Sequence, residues 1–221
     1  MTATPRLALH LFRGPLARSI EESRPLHNAF SEGGASSAMA IARSLGDVSH
    51  NVYTSPAGAG PSEVLLLDFW ADEAGMARFF ADPNVQAAGG RLCTSYDETS
   101  WTPAPGAFAF HLPPMAGRAA RFLALVRAPV HAVSEAVAGF NALVVSNAAL
   151  GRRRGQLAHD LYLRSGAGSD PPELLGVDTW SDADGMNEHY RDEAAWRGFG
   201  RLFTGPQMGS VWEQTSGFTE W

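Results

Sequence analysis

The sequence predicts an α+β protein made of two tandem copies of one ferredoxin-like unit, and three observations lead to this fold class. The stretch DFWAD at positions 68–72 returns as DTWSD at positions 178–182. The offset then stays constant without a gap, since Thr94 matches Thr204, and such a shared spacing is hard to reach by chance. Each half also predicts the order strand, helix, strand, strand, helix, strand.

In the first half, alternating apolar residues predict a strand at positions 6–12. Positions 15–46 are predicted to be helical in pieces, broken by Pro25 and by Gly33-Gly34. Two strands follow, at 48–54 and 63–70, joined by the turn-rich segment 55–61. Asp72 is a good N-cap for a helix to about position 80. We expect that helix to end at Pro83, and a short second helix to lead through Gly89-Gly90 to a last strand near 92–101.

The second half is predicted to repeat this order from position 107. The sequences Leu9-His10-Leu11 and Phe110-His111-Leu112 are matched as first strands, and Pro25-Leu26-His27 is matched with Pro129-Val130-His131. Positions 119–150 are predicted to be mainly helical, with an interruption at Pro129. The sequence Ala104-Pro105-Gly106 is the predicted joint, so the domains are expected at 1–104 and 105–221.

A ferredoxin-like unit is a four-stranded antiparallel sheet with helices on one face. Two such units can cover their open faces by packing sheet against sheet, which predicts an intramolecular pseudo-dimeric α/β barrel around a lumen. Leu7, Leu9 and Leu11 form a uniformly apolar strand face, which we expect beneath the helices. The alternate face is expected to line the lumen, and it carries these candidate substrate-binding residues: His10, Asp68 and Trp70 in the first unit, and His111, Asp178 and Trp180 in the second.

Composition narrows the class of partner. The chain has 221 residues, of which 45% are hydrophobic, and a net charge of −6 with no lysine. That balance argues against a nucleic-acid partner, because such proteins present a concentrated basic surface. The single cysteine, Cys93, excludes an intramolecular disulfide and a thiolate metal cluster. No apolar run approaches the roughly 20 residues of a membrane span, so we expect a cytoplasmic protein that binds a small molecule.

The third strand ending in Trp70, the Ala71-Asp72 that opens the next helix, the aromatic pair Phe79-Phe80 and the later Asp82-Pro83 resemble the dimeric α/β-barrel superfamily. Its members include antibiotic-biosynthesis monooxygenases, haem-degrading monooxygenases, muconolactone isomerases and stress-responsive barrel proteins. The resemblance covers nearly the whole chain, twice, and it implies a hydrophobic cavity in each unit, often for an aromatic polyketide-like substrate. It also implies oxygen chemistry that in some members needs neither metal nor flavin.

The same resemblance indicates where this chain departs from the monooxygenases. Trp70 and Trp180 match their strand tryptophan, whereas His10 and His111 stand where their first strand carries an asparagine. The haem-degrading branch uses a helix histidine as iron ligand. His189 lies on the corresponding helix, and its counterpart in the first half is Phe79. Only the second half could therefore bind haem in that way.

The paired histidines suggest acid–base chemistry. His10 and His50 could meet across neighbouring elements and supply a neutral imidazole as base toward a phenolic or enolic substrate. His131 with Glu135 has the spacing of two residues on one helical face, but the first half does not repeat it, so no metal site is predicted. Asp68 and Asp178 need a partner in an apolar strand, either a backbone group, an arginine such as Arg91 or Arg201, or a ligand in the cavity.

These observations predict a small-molecule enzyme of the monooxygenase or isomerase type, without a cofactor, that acts on a hydrophobic oxygenated ring compound. Two alternatives stay open: a non-catalytic ligand-binding or stress-related barrel protein, and a haem-binding protein. Because the two halves differ at Phe79 and His189, we expect their cavities to differ in polarity. A homodimer through the helix faces is compatible with the sequence.

Overall fold

The computed structural model describes residues 7–34, 37–58, 60–113, 119–166 and 171–221. These residues form two compact units. The first unit contains the chain up to Ser100 together with Glu213–Trp221, and the second contains Trp101–Trp212. The structure therefore assigns the last segment of the chain to the first unit, whereas the sequence placed it in the second. The predicted boundary between residues 104 and 105 stays a prediction.

The first unit is a mixed α+β structure with one antiparallel sheet. Its strands are Ala8–Pro15 (β1), Asp47–Thr54 (β2), Glu63–Trp70 (β3) and Asp97–Pro103 (β4). The part of β4 up to Ser100 belongs to this unit. Its helices are Ile20–Glu32 (α1), Ala38–Ser44 (α2), Glu73–Phe80 (α3) and Pro83–Leu92 (α4). The strand order is β4, β1, β3, β2, and β3 runs antiparallel to both β1 and β2.

Side-chain caps explain where three of these helices begin. The Ser19 hydroxyl accepts the Glu22 amide and the Glu22 carboxylate accepts the Ser19 amide, which forms a capping box before α1. Asp72 caps α3 as predicted, and Asp82 caps α4 one residue before its proline. The helix break predicted at Pro25 is wrong, because α1 continues through Pro25 to Glu32. The capping box and the buried face of the helix stabilise it.

The second unit has the same kind of sheet. Its strands are Phe110–His111 (β5), Phe122–Pro129 (β6), Gln156–Arg164 (β7), Glu173–Trp180 (β8) and Met208–Gln214 (β9). The part of β9 up to Trp212 belongs to this unit. Its helices are Val133–Arg153 (α5) and Ala183–Arg191 (α6), followed by a short 3-10 helix at Phe199–Leu202. The strand order is β9, β6, β8, β7, β5, and the end of β4 pairs with β7.

The prediction of a helical segment from 119 to 150 is wrong at its start, because residues 122–129 form β6. This strand is apolar on both faces, so it lacks the alternation that identifies a half-exposed strand. Phe122 lies opposite Trp180, as Ala8 lies opposite Trp70. The counterpart of β1 is therefore β6, and the match of His10 with His111 is wrong.

The predicted orientation of β1 is also wrong. Ala8 packs in one cluster with Ala42 of α2 and Phe79 of α3, so its strand face lies beneath the helices. The opposite face, which carries Leu9 and Leu11, is buried as well. Because both faces are buried, hydrophobicity alone could not tell them apart.

Helix α5 is the one stretch among the described residues that is long and apolar enough to cross a membrane, since an 18-residue window of this 21-residue helix has a mean hydropathy of 1.3. Core helices pass the same test. Phe140 and Val144 of α5 are buried in one cluster with Leu161 and Leu174 of the sheet. We therefore interpret α5 as the core helix of the second unit.

Two glycines at equivalent positions of the repeat, Gly75 in α3 and Gly185 in α6, allow a close backbone contact at the start of their helices. A Cβ atom on Gly75 would lie 1.7 Å from the carbonyl oxygen of Leu45, and one on Gly185 would lie 1.9 Å from that of Arg154. The first turn of α3 and of α6 thus touches the end of the preceding helical segment. Only glycine permits this approach, since the obstructing atoms belong to the backbone.

We predict that Gly75→Ala and Gly185→Ala each lower the free energy of unfolding by about 2–4 kcal/mol through backbone displacement. Gly90→Ala is the matched control, because nothing lies within 4 Å of its added Cβ and the residue is inside α4. Gly90→Ala should be neutral or stabilising by up to about 1 kcal/mol. Urea unfolding of the three variants measures the difference, and equal effects at positions 75 and 90 would contradict it.

Candidate functional site

The polar residues of the first unit lie in rows across three strands on the helix-covered face. Direct pairing of β1, β3 and β2 produces the rows Ala8–Trp70–Asp47, His10–Asp68–His50 and Phe12–Leu66–Val52. The buried carboxylate of Asp68 therefore has an imidazole on each side. The predicted residues His10, Asp68 and Trp70 are brought together here, on the face opposite to the predicted one.

A chain of hydrogen bonds starts at Asp68 and ends at Asn28. Asp68 Oδ1 lies 2.5 Å from His50 Nδ1, and His50 Nε2 lies 3.0 Å from His27 Nε2. His27 Nδ1 lies 3.2 Å from Asn28 Oδ1. The orientation of the Asn28 amide follows from its other bonds, because its Nδ2 donates to the Gly217 carbonyl and its Oδ1 accepts from the Thr219 amide.

Counting protons along this chain determines its charge. Asn28 Oδ1 can only accept, so His27 must carry a proton on Nδ1. The other two contacts each need one more proton. Two neutral imidazoles and a carboxylate hold two protons, whereas three hydrogen bonds need three. We therefore conclude that the chain holds one additional proton and that Asp68, His50 and His27 together are electrically neutral.

The pKa values of the two imidazoles place that additional proton on His50. Burial disfavours a charged His50, but the Asp68 carboxylate that accepts its proton, together with Asp47 and Glu220, raises its pKa above the ordinary value. Burial and the adjacent charge of His50 lower the pKa of His27 to about 4. His50 is thus the imidazolium that donates to a neutral His27.

The segment Glu213–Trp221 supplies a further wall of this site. The Trp221 indole stacks on His50 with ring centroids 4.4 Å apart, and its Nε1 donates to Asp47 Oδ2 at 2.5 Å. Backbone bonds of 2.8 and 3.2 Å join Trp221 to His50 in both directions. Burial and the charge of Asp68 raise the pKa of Asp47 to about 6, although the Trp221 hydrogen bond acts in the opposite sense.

His10 completes the row without joining the hydrogen-bond chain. Its Nδ1 lies 3.1 Å from Ser100 Oγ, and its ring stacks on Phe80 at 3.5 Å. Burial lowers the pKa of His10 to about 4, so the ring is neutral near pH 7. The predicted contact between His10 and His50 is replaced by the contact of His50 with Asp68 and His27.

A cavity of about 100 Å³ lies between this face of the sheet and the helices of the first unit. Its polar wall includes His27, Asp47, His50 and Asp68. Its apolar wall is formed by aromatic and aliphatic side chains that include Phe12, Leu66, Trp70, Phe79, Phe80 and Val85. This combination suits a small, flat and mostly apolar ligand with a polar substituent.

The second unit repeats the rows with different chemistry. Pairing of β6, β8 and β7 produces the rows Phe122–Trp180–Gln156, Ala124–Asp178–His159 and Val126–Gly176–Leu161. Asp178 accepts hydrogen bonds from Gln156 Nε2 at 2.7 Å, His159 Nδ1 at 2.7 Å and the Tyr190 hydroxyl at 2.5 Å. Burial and the Asp178 charge raise the pKa of Tyr190 well above 10. Three separate side chains therefore donate to this carboxylate, and no second histidine continues the chain beyond His159 among these contacts.

A larger cavity, of about 430 Å³, lies beside Asp178. Phe140, Tyr190, Trp196 and Phe199 contribute aromatic rings to its wall. Trp180 is fully buried beneath α6, where its ring contacts Tyr190 at 5.7 Å. Asp178 thus lines this cavity directly, and Trp180 lies behind it.

His189 does not fit the haem-ligand role. The side chain is 2% exposed, and its ring is enclosed by Trp180, Tyr190 and Trp196 at centroid distances of 5.0 to 5.4 Å. An axial ligand must present a ring nitrogen to the iron of a porphyrin, whereas the His189 ring is buried among these aromatic side chains. Among the described residues, no group of three or more His, Cys, Asp or Glu side chains could hold a metal ion.

His111 lies apart from both sets of rows. It belongs to β5, its side chain is 59% exposed, and its Nε2 lies 2.7 Å from Asp160 Oδ2. This hydrogen bond and the Asp160 charge raise the pKa of His111 despite partial burial. The residue that occupies the position of His10 in the second unit is Ala124. Asp68 and Asp178 also pair with residues other than the predicted arginines.

Sequence reasoning missed two asparagines, Asn28 and Asn141, which bind the segments that lie beside the second strands. We call these the tail segments: residues 213–221 in the first unit and residues 106–110 in the second. Asn141 donates to the Gly106 carbonyl and accepts from the Phe108 amide, in the same way that Asn28 holds Gly217 and Thr219. The residue before each asparagine stacks on the histidine of the second strand: Phe140 stacks on His159, and His27 stacks on His50. The sequence does contain a signal for these contacts. Each asparagine follows an aromatic or imidazole residue, and each tail segment contains Gly-X-Phe or Gly-Phe. These residues lie outside the part of the repeat that aligns without gaps, so the match was not recognised.

Comparisons with known proteins identify the fold. No family model matches the chain, and no curated protein matches it closely. An anthrone oxidase-like protein of known structure is 16% identical, has a TM-score of 0.66, and aligns over 100% of this chain and 94% of its own. A putative monooxygenase from Fusobacterium nucleatum subsp. nucleatum is 7% identical, with a TM-score of 0.62 and coverage of 98% and 97%. A mutant chlorite dismutase from Candidatus Nitrospira defluvii is 11% identical, with a TM-score of 0.56 and coverage of 95% and 93%.

These neighbours are members of the dimeric α/β-barrel superfamily, and the likeness of fold inferred from the sequence is confirmed. At such low identity the likeness establishes the fold alone. The chemistry of this chain has to be argued from its own residues.

The charge assignment in the first unit predicts an unusual acid sensitivity. His27 is neutral in the folded protein and its pKa is about 4, against an ordinary value of 6.5. As the pH falls from 6.5 to 4, the unfolded chain binds a proton that the folded chain does not, so stability is lost. His27→Phe, which copies Phe140, should reduce this slope by up to about 1.4 kcal/mol per pH unit. Urea unfolding at several pH values measures it, and an unchanged slope would refute the assignment.

The second unit yields a contrasting prediction. Tyr190→Phe removes one donor from the buried Asp178 carboxylate and should lower the free energy of unfolding by about 1–3 kcal/mol. Tyr53→Phe, at a buried tyrosine of the first unit, is the control and leaves Asp178 untouched. A loss at position 190 no larger than at position 53 would show that Asp178 does not depend on the hydroxyl.

Proposed function

We propose that the protein is a small-molecule enzyme of the monooxygenase or isomerase type, which acts on a hydrophobic, oxygenated and aromatic substrate in its cavities. The observation that carries this proposal is the neutral Asp68–His50–His27 chain beside an aromatic cavity. A proton taken from a substrate would leave this chain positive and the substrate negative, so the two together would stay neutral in a low-dielectric site. Deprotonation of a phenolic or enolic substrate is the step that it would assist.

The residues proposed to bind substrate are His10, Asp68 and Trp70 in the first unit, with Asp178 and Trp180 in the second. Asp68 and Trp70 line the cavity of the first unit, and Asp178 lines that of the second. His10 reaches the first cavity through Phe80, on which it stacks. His111 is left out of the proposal, because its side chain is largely exposed and bonds to Asp160.

The proposed chemistry needs no cofactor, since a carbanion or enolate can itself reduce oxygen. Anthrone is a suitable test substrate, because one neighbour of this fold is described as anthrone oxidase-like. Its oxidation consumes one O₂, places one oxygen atom on the ring carbon to form anthraquinone, and releases the other as water. The electrons and both hydrogen atoms come from the substrate, so no further reductant is required.

We also propose that the two units are ferredoxin-like copies that form an intramolecular pseudo-dimeric barrel in the cytoplasm. The repeated rows around Asp68 and Asp178 and the repeated asparagine contacts support the duplication. Because the second unit is supplied covalently, one chain is sufficient for the pseudo-dimer. A homodimer of whole chains is compatible with this arrangement.

Oxygen consumption and anthraquinone absorbance with anthrone test the proposed activity, with a protein-free reaction to subtract spontaneous oxidation. We expect protein-dependent turnover that Asp68→Asn reduces at least about tenfold, through loss of the charge that holds the His50 proton. Asp178→Asn reports separately on the second cavity. Binding of anthrone without oxygen uptake would indicate the non-catalytic alternative, and a Soret band after haem addition would indicate the haem alternative.

A further inference from the structure

Four buried polar atoms of the first unit have no hydrogen-bond partner among the described residues, and two of them belong to residues paired across the sheet. These two are Asp47 Oδ1 and Trp70 Nε1. Asp47 is 7% exposed and Trp70 is 1% exposed, and the two residues are direct partners across β2 and β3. Both line the cavity of the first unit. An acceptor and a donor on paired residues are thus left without partners at one cavity, and each such group costs stability unless something satisfies it.

We infer that Asp47 and Trp70 form a binding site for the hydroxyl group of a flat aromatic ligand. One hydroxyl satisfies both groups, since its hydrogen is donated to Asp47 Oδ1 and its oxygen accepts the Trp70 Nε1 hydrogen. The aromatic wall of the cavity, which includes Phe79 and Phe80, accommodates the ring that carries it. This inference rests on the proposed function and specifies its substrate class as a hydroxylated aromatic compound.

The surroundings of Asp47 keep its second oxygen in place. Trp221 Nε1 donates to Oδ2, which leaves Oδ1 for a ligand. Charged and titratable groups contributed by every neighbouring element are His50 of β2, Asp68 of β3, His27 of α1, Arg91 of α4 and Glu98 of β4. Burial first, and then the Asp68 charge, raise the pKa of Asp47 to about 6, while Trp221, His50 and the Val48 amide lower it. Asp47 is thus a carboxylate at pH 7 and a carboxylic acid at pH 5.

The second unit contains a natural contrast. Gln156 occupies the position of Asp47 opposite Trp180, and its amide donates to Asp178. No carboxylate oxygen is left over there for a hydroxyl hydrogen. The inferred hydroxyl site therefore belongs to the first unit only, although the cavity of the second unit is larger.

The test compares phenol with anisole, which has the same ring and an oxygen but no hydroxyl hydrogen. Calorimetric titration of the full chain should show phenol binding roughly 10- to 100-fold more tightly at pH 7.5, the effect of one charge-assisted hydrogen bond. The preference should decline as the pH falls through about 6, where Asp47 takes up its proton. Equal binding of the two compounds, or no binding of phenol, would overturn the inference.

Two variants locate the preference. Asp47→Asn keeps an oxygen for the Trp221 indole and should remove both the preference and its pH dependence. Trp70→Phe should reduce the affinity for both compounds, because both present an oxygen to its N–H group. Asp82→Asn and Trp212→Phe, a helix cap and a buried tryptophan of the other unit, are the controls and should leave both affinities unchanged. Retention of the preference in Asp47→Asn would refute the role of Asp47.

This experiment separates the inference from the proposed function, because binding is measured without turnover. Selective binding by a protein that consumes no oxygen with anthrone refutes only the proposed function. Oxygen consumption by a protein that does not distinguish phenol from its methyl ether refutes only the inferred hydroxyl site.

Discussion

A buried carboxylate in the middle of the central strand is the constraint on which the rest of each unit depends. Asp68 and Asp178 are 4% and 6% exposed, on a sheet face that is otherwise packed against helices. An uncompensated charge in such a place would cost several kcal/mol. The side chains that donate hydrogen bonds to these carboxylates reduce this cost, and they differ between the two units.

In the first unit the compensation is a positive charge. His50 carries the proton, His27 accepts from it, and Asn28 accepts from His27, so the whole chain is neutral. In the second unit Gln156, His159 and Tyr190 each donate a hydrogen bond to the carboxylate. The Tyr190 hydroxyl keeps its proton, because burial and the Asp178 charge raise its pKa well above 10. The two carboxylates are thus stabilised by different partners, a chain of two imidazoles in the first unit and three separate donors in the second.

The same difference extends to the tail segments that border the second strands. Trp221 stacks on His50 and donates to Asp47, while Phe110 lies 6.4 Å from the His159 ring and has no polar atom to donate. The asparagines that hold these segments are the same in both units. The backbone frame is thus preserved, and the side chains that carry charge or donate protons have changed around it.

The sequence was sufficient where local rules decide the structure. The strand Glu63–Trp70 and the Asp72 cap agree with prediction, since a dense apolar run followed by an aspartate leaves few alternatives. It failed where an element is buried on both faces, as for β6, whose continuous apolar run is compatible with helix or strand. That error carried over to His111, which was matched with His10 although Ala124 holds that position.

The site itself was half predictable for a related reason. Asp68, Trp70 and their repeat partners stand out as polar or bulky residues in an apolar strand, so a single sequence identifies them. Asp47 and Trp221 do not stand out, because each becomes informative only when the segment Glu213–Trp221 lies beside β2. Contacts between residues so distant in the chain are set by tertiary packing, which local patterns do not encode.

The orientation of the strands explains why a reactive site can exist beneath the helices at all. A face that is covered by helices excludes water, and this strengthens the hydrogen bonds and ion pairs formed there. The sheet rows then place His10, Asp68 and His50 side by side at the spacing of adjacent strands, so their order is maintained by the backbone. Because the helical residues His27, Phe79 and Phe80 pack over this row, the His50 imidazolium is buried beside the cavity. Under the proposed function, this places a positive charge and its carboxylate partner directly beside an apolar substrate, where electrostatic stabilisation is strongest.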